Sequence, residues 1–532
     1  MKKLLMILLL GLTACSSQPL QPAATQNPGL TFIHLNDTYR IGAVEDGSKG
    51  GFARVLTIVR ELQSQGRDVR LLHAGDFLFP SLESQLWDGA QMVEALNYLD
   101  DNAPLYLVPG NHETDKQTPD AIINALKSSR FDWIGDNYRF VTGDAEADAL
   151  LNSGFTIQYQ DKTIGIFSLL LHPDDGGNLR DYVPTDSDYL GIAKRSIEAF
   201  EAQGVDMIIG LTHVLLATDR EIAKLRAEHP GLMFIVGGHE HEPQHSALSD
   251  DSAEVMKGAS NARAIWQIDV AFAATGAASI ETQLIALDST VAEAADYVEF
   301  AQGWRKQVLD LYPFLEARVG EATLPMDARE TVIRSEETSW GNFLADQMRV
   351  AFGREPSDLA FINSGTIRID DFIQGDILFE DIGRTFGFSS YLRHMPISGA
   401  EFREVMEAGF RGDGTGQGYF PQVSGFRVCA DISRPEYDRI VSLQVPTGGS
   451  WQEIDDDGIY ELVVPDFLYG GGDGYRLPQH REASRRGSEL KYLVLDAILR
   501  AQGAGKTVGA AVDPANPRTV VLRDATSGCF PE

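Results

Sequence analysis

The sequence predicts a two-domain α/β protein: a layered α/β unit first, then a mixed unit of helices and strands. Three observations predict it. The chain has 532 residues, more than one typical domain holds. Short apolar runs alternate with helical patterns through its first half, the signature of strands buried on both faces and separated by helices. After Gly238 the texture changes to hairpin-like strands, and a second run of mixed elements begins near Glu330.

The N-terminus reads Met1-Lys2-Lys3, then "LLMILLLGL", then Thr13-Ala14-Cys15-Ser16-Ser17. A basic end, a short apolar run and small residues describe an export leader. The run is too short for a bilayer span, which takes ~20 residues. Leu12-Thr13-Ala14-Cys15 resembles a bacterial lipobox, so residues 1–14 are expected to be removed and Cys15 acylated. Several acyl chains on one Cys would anchor the chain stably. Ser16 after the Cys favours the outer membrane, facing the periplasm or the surface. Residues 15–28, "CSSQPLQPAATQNP", read as a flexible tether.

From Leu30 the strands are "LTFIHL", "VRLLHAG", "APLYLVPG", "TIGIFSLLL", "DMIIGLT" and "LMFIVGG". Helices are expected between them, at Phe52–Ser64, Ala90–Asp100 and Tyr189–Gln203. "AIWQIDVAF" and "ASIETQLIAL" read as hairpin strands that close the sheet. The pattern bounds a first domain at 29–290, a connecting helix within 291–325, and a second domain at 326–532. Cys429 and Cys529 either pair or stay as two buried thiols; the spacing leaves both open. The formal charge of -32 argues against nucleic acid as a partner. It does not exclude a small anionic substrate, since charge beyond about 8 Å is screened.

Functional groups in open α/β sheets gather beyond the carboxyl ends of the strands. Here those ends carry Asn36-Asp37-Thr38-Tyr39, Gly75-Asp76, Gly110-Asn111-His112, Thr212-His213 and Gly238-His239-Glu240-His241. One such residue is an ordinary turn former. Together, two Asp, one Asn and three His give enough nitrogen and oxygen donors for two divalent ions sharing one carboxylate. Two ions ~3.5–4 Å apart suit phosphoryl transfer, because they polarise P–O bonds and acidify a bound water.

These motifs resemble the calcineurin-like metallophosphoesterase pattern, and the chain from about Leu30 to near Arg518 is similar to the 5'-nucleotidase family. The resemblance implies a four-layer α/β/β/α sandwich with a second α+β substrate-binding domain joined by a helical linker. It implies that Asp37, Asp76 and His241 hold one ion, and that Asp76, Asn111, His213 and His239 hold the other, the metal being Mn, Zn, Co or Mg. His112, oriented by Asp115, would face the phosphoryl group. Glu113 receives no role beyond a helix-start carboxylate. The family has Asn-Asp-x-His at the first strand, whereas this chain has Tyr39 in place of the His, as in an Asn-Asp-x-Tyr branch. Three readings follow: Tyr39 coordinates, water fills its place, or the first ion is weak or absent; the first two, which keep a two-ion site, are preferred.

In the second domain Asn363-Ser364-Gly365-Thr366-Ile367-Arg368 resembles the family's Asn-Gly-Gly-Gly-Ile-Arg turn, with Arg368 meeting phosphate. Ser364 and Thr366 depart from it. "GYFPQVSGFRV" and "VVPDFLYGGGDGYRLP" resemble the segments that clamp a nucleoside, with Phe420 and Phe467 around the base and Asp473 on the ribose. The resemblance implies hydrolysis of 5'-nucleotides outside the inner membrane by a metal-bound hydroxide. Two rivals remain: the same chemistry on a sugar phosphate, nucleotide sugar or cyclic nucleotide, and a decayed nucleotide-binding lipoprotein.

Overall fold

The computed structural model describes residues 29–176, 179–273, 276–412, 417–478, 484–523 and 528–530. The leader, Cys15 and the tether up to residue 28 lie outside the described residues. In the first domain two sheets stack face to face. The larger runs Ala278–Ala286, Ala264–Phe272, Leu30–Leu35, Asp68–His73, Leu105–Leu107, Asp132–Ile134, Leu151–Asn152. The smaller runs Gln244–Ser246, Glu254–Lys257, Leu232–Gly237, Met207–His213, Lys162–Leu170, Phe155–Tyr159.

Strands Leu30–Leu35, Met207–His213 and Leu232–Gly237 are buried along their whole length, which is why they read as unbroken apolar runs. Phe32 of one sheet meets Phe234 of the other, ring centroids 5.9 Å apart. Helices Phe52–Ser64 and Ala90–Asp100 pack on the larger sheet, and Tyr189–Gln203 covers the smaller through Ile197 and Phe200. The result is the expected four-layer order. The parallel pairing of neighbouring strands points their carboxyl ends the same way, so one edge collects all the polar termini.

The helix Ala295–Leu311 runs between the domains. Tyr297 packs edge-on against Phe52, and Trp304 against Trp87, on the first domain's side. Arg305 pairs with Glu380 of the second domain at 2.8 Å. The second domain is built on a five-stranded sheet, Pro421–Ser424, Leu359–Asn363, Ile459–Pro465, Tyr391–Ser398, Arg485–Glu489. Leu359 and Phe361 face one apolar core, Ala360 and Ile362 the other, so this sheet too is covered on both faces. A four-stranded sheet lies beside it, and there Cys429 and Cys529 are joined in a disulfide, which decides between the two readings of those cysteines.

Candidate metal centre

All six sequence-predicted donors come together. Asp37 follows the strand Leu30–Leu35, Asp76 follows Asp68–His73, and Asn111 follows Leu105–Leu107. His213 ends its strand, while His239 and His241 follow Leu232–Gly237. One donor atom each from Asp37, Asp76 and His213 lie within 4.8 Å of one another. Asp37 Oδ1 stands 3.3 Å from His241 Nε2, and Asp76 Oδ2 stands 3.4 Å from His213 Nε2. Asn111 Oδ1 lies 3.2 Å from both His213 Nε2 and His239 Nδ1. The Tyr39 hydroxyl sits inside the cluster, 3.2 Å from Asp37 Oδ1, 3.2 Å from Asp76 Oδ2 and 3.0 Å from His241 Nε2.

The local backbone is held in an unusual shape to achieve this. Asp37, Asp76 and His239 have φ of 52°, 60° and 78°, left-handed values that cost a non-glycine residue about 1 kcal/mol or more. Gly75 also has φ 78°, and a Cβ there would fall 2.3 Å from the Gly110 nitrogen. A Cβ on Gly110 would fall 2.1 Å from Asp76 Oδ1, so both loops need glycine where they cross.

Glu113, given no role by the sequence, organises this crossing. Its buried carboxylate accepts from the backbone N–H of Asp76 (3.0 Å), Phe77 (2.6 Å) and Leu78 (3.1 Å), and from that of Gly110. Burial, and then the nearby Asp76, push its pKa up to about 7. Its neighbour His112 holds Asp115 through Nδ1 at 3.0 Å. Burial alone would lower the His112 pKa, but Asp115 and Asp76 outweigh it and raise it above the ordinary imidazole value.

The donor chemistry fits divalent cations. Asp37 and Asp76 are 0% and 1% exposed, and among the described residues no lysine or arginine pairs with either. Two buried carboxylates call for compensating positive charge. Their field acts on His213, whose pKa burial lowers while Asp76 and then Asp37 push it up to about 10. Metal–ligand bonds of about 2.0–2.2 Å put neighbouring donors roughly 3 Å apart, the spacing found here.

From the second domain Arg368 reaches the same place. Its Nη2 is 3.5 Å from His112 Nε2, and its guanidinium lies 5.6 Å from the Tyr39 ring centroid and 5.2 Å from that of Phe388. The Arg368 Nε and Nη1 atoms are buried without a hydrogen-bond partner. Ser364 and Thr366 spend their hydroxyls within the loop, on the Gln417 carbonyl (3.0 Å) and Asn363 Oδ1 (2.6 Å). Asp473 accepts from Asn363 Nδ2 at 2.7 Å. Phe467 is 44% exposed, whereas Phe420 is buried with its ring 5.7 Å from Phe410.

Two more residues join the centre unannounced by sequence. Glu330 Oε1 meets His241 Nδ1 at 2.5 Å, and Arg334 pairs with Glu330. Nothing in the sequence connects a residue of the second domain to a histidine of the first.

The fold and the cluster define a two-domain metallophosphoesterase. Residues 30–243 match the family model for calcineurin-like phosphoesterase, and residues 318–480 match that for the 5'-nucleotidase C-terminal domain. The 5'-nucleotidase of Bos taurus is 26% identical over 498 residues, covering 84% of this chain and 84% of its own. The trifunctional nucleotide phosphoesterase protein of Bacillus subtilis is 25% identical over 87% of this chain, which spans only 33% of that longer protein. The crystal structure of a 5'-nucleotidase precursor from Thermus thermophilus shares the fold, with a TM-score of 0.77 at 22% identity over 93% of this chain and 99% of that one. The chain joins a calcineurin-like phosphoesterase domain to a 5'-nucleotidase C-terminal domain, is similar in sequence to 5'-nucleotidases along most of its length, and is a phosphoric ester hydrolase.

Proposed function

We propose that this protein hydrolyses 5'-nucleotides to nucleoside and phosphate at the Asp37–Asp76–Asn111–His213–His239–His241 cluster. The observation that carries the reading is the meeting, at one sheet edge, of a buried cluster of carboxylate, amide and imidazole donors with His112 from one domain and Arg368 from the other. Asp37, Asp76 and His241 would hold one ion, with the Tyr39 oxygen as its neighbour; Asp76, Asn111, His213 and His239 would hold the second. Bound divalent ions supply Lewis acidity toward phosphoryl oxygens and acidify water at neutral pH.

The chain's own groups do the rest. Arg368 brings two unpaired N–H groups to the phosphoryl oxygens, in the planar geometry that suits bidentate contact. His112, whose protonated form Asp115 favours, would donate toward the phosphate or the leaving oxygen through Nε2. Asp473, which accepts from Asn363, would take the ribose, and the exposed ring of Phe467 would stack on the base. The leader and Cys15 support export and a lipid anchor on the periplasmic side of a bacterial membrane; among the described residues no helix is long and apolar enough to cross one.

The test is phosphate release from AMP, UDP-glucose, a cyclic nucleotide and glucose phosphate, with Mn, Zn, Co or Mg supplied, beside metal analysis of the protein. AMP should be turned over best. If AMP is the poorest substrate, the nucleotidase reading is wrong; if no phosphoester is turned over with any ion, the chain is a binding protein.

A further inference from the structure

Glu330 opens a short helix, Glu330–Ile333, at the start of the second domain, yet its side chain is buried in the first. Oε1 meets His241 Nδ1 at 2.5 Å, while Oε2 accepts from Ser260 Oγ and lies 3.4 Å from Arg263 Nη2. Its backbone N–H donates to Asp370 Oδ1 at 2.9 Å. Asp370, also of the second domain, pairs with Arg263 at 3.1 Å and accepts from Asn261 Nδ2 at 3.0 Å. Asn261 in turn accepts the backbone N–H of Tyr39 at 3.1 Å. The second domain therefore grips two sides of the centre, His241 and the Tyr39 loop.

Charge balance alone does not explain the His241 contact. Glu330 and Asp370 already face two buried cations, Arg334 and Arg263. The bond to His241 is additional, and it falls on the ring nitrogen opposite Nε2, the atom turned toward Asp37. A carboxylate on that nitrogen fixes the ring's tautomer and direction and strengthens it as a ligand. Here that carboxylate comes from the other domain. Arg334, one turn beyond Glu330, accepts the Gln417 N–H on its carbonyl at 3.2 Å, in the loop whose Gln417 carbonyl takes the Ser364 hydroxyl. One carboxylate thus joins the substrate side of the second domain to a histidine of the first.

We propose that Glu330 is a positioning residue which makes ion binding at His241 depend on the docking of the second domain. The inference rests on the metal reading above and adds a coupling to it. Linkage makes the coupling reciprocal: if docking tightens one ion, that ion favours docking by the same factor.

The experiment titrates metal-free full-length protein with MnCl2 by calorimetry, with small-angle scattering on the same samples. Wild type should take up two ions per chain and become more compact. Glu330→Ala should weaken one ion by about 10–100-fold and leave the other unchanged, with the compaction reduced. Glu330→Gln, whose amide oxygen can still accept from Nδ1–H, should fall between them. In a His241→Ala background, Glu330→Ala should cost no further affinity. Equal weakening of both ions together with a lower unfolding temperature of the metal-free protein would show a merely structural role and overturn the proposal, as would unchanged affinities in Glu330→Ala. If His241→Ala itself leaves ion uptake unchanged, the metal reading fails and takes this inference with it.

Discussion

At the scale of single residues, the centre divides into groups that act and groups that hold them. Among the described residues the His112 ring bonds to Asp115 and approaches Arg368, bonds to none of the six proposed ion ligands, and lies against the rings of Tyr39 and Phe388. His112→Ala should therefore reduce turnover by roughly 10²–10⁴-fold with metal content unchanged; metal analysis beside kcat checks both halves. Glu113 is the opposite case. Removing its carboxylate leaves four N–H donors without an acceptor in a buried place. Each unsatisfied buried donor costs about 1–3 kcal/mol, so Glu113→Ala should cost at least about 4 kcal/mol in denaturant unfolding and lower metal content as well. The sequence displayed the ligands because each sits directly after an apolar run. It hid Glu113 and Glu330, because a carboxylate at a helix start has a sufficient local explanation and their partners are distant in sequence.

At the scale of elements, the legible parts were those with a long period. Strands such as Leu30–Leu35 and helices such as Tyr189–Gln203 are buried or amphipathic over enough residues to announce themselves. Asp132–Ile134 and Leu151–Asn152, which extend the larger sheet, are too short to carry a pattern; tertiary pairing defines them. The disulfide belongs to this scale too. Strand Arg427–Asp431, which carries Cys429, pairs in parallel with Thr519–Leu522, and Cys529 lies just beyond. The bond closes a loop of sequence separation 100, which ties the chain's last strand to the second domain. Replacing both cysteines with serine should destabilise that domain by about 2–4 kcal/mol. Limited proteolysis should show the loss there first, with the ion at Asp76, Asn111, His213 and His239 retained.

At the scale of the molecule, the Arg368 guanidinium and the His112 imidazole, from different domains, face each other across the cleft. They are 3.5 Å apart; Asp115 and Asp76 favour a proton on His112, and Arg368 opposes it. Bringing them together without an anion between them costs Coulomb energy, more in a buried cleft than in water. An anion that bridges them reverses the sign, so closure and phosphate binding should favour one another even in a chain whose formal charge is -32. Inorganic phosphate should accordingly raise the unfolding temperature of the metal-loaded protein, approaching about 2.7 kcal/mol of stabilisation at a hundred times its Kd. In His112→Ala the repulsion and one contact vanish together, so the stabilisation should shrink but persist through Arg368. Arg368→Ala should remove most of it, while leaving the unfolding temperature in the absence of phosphate equal to or above that of wild type. Thermal scans with and without phosphate check the argument, and a phosphate effect undiminished in Arg368→Ala would place the anion elsewhere.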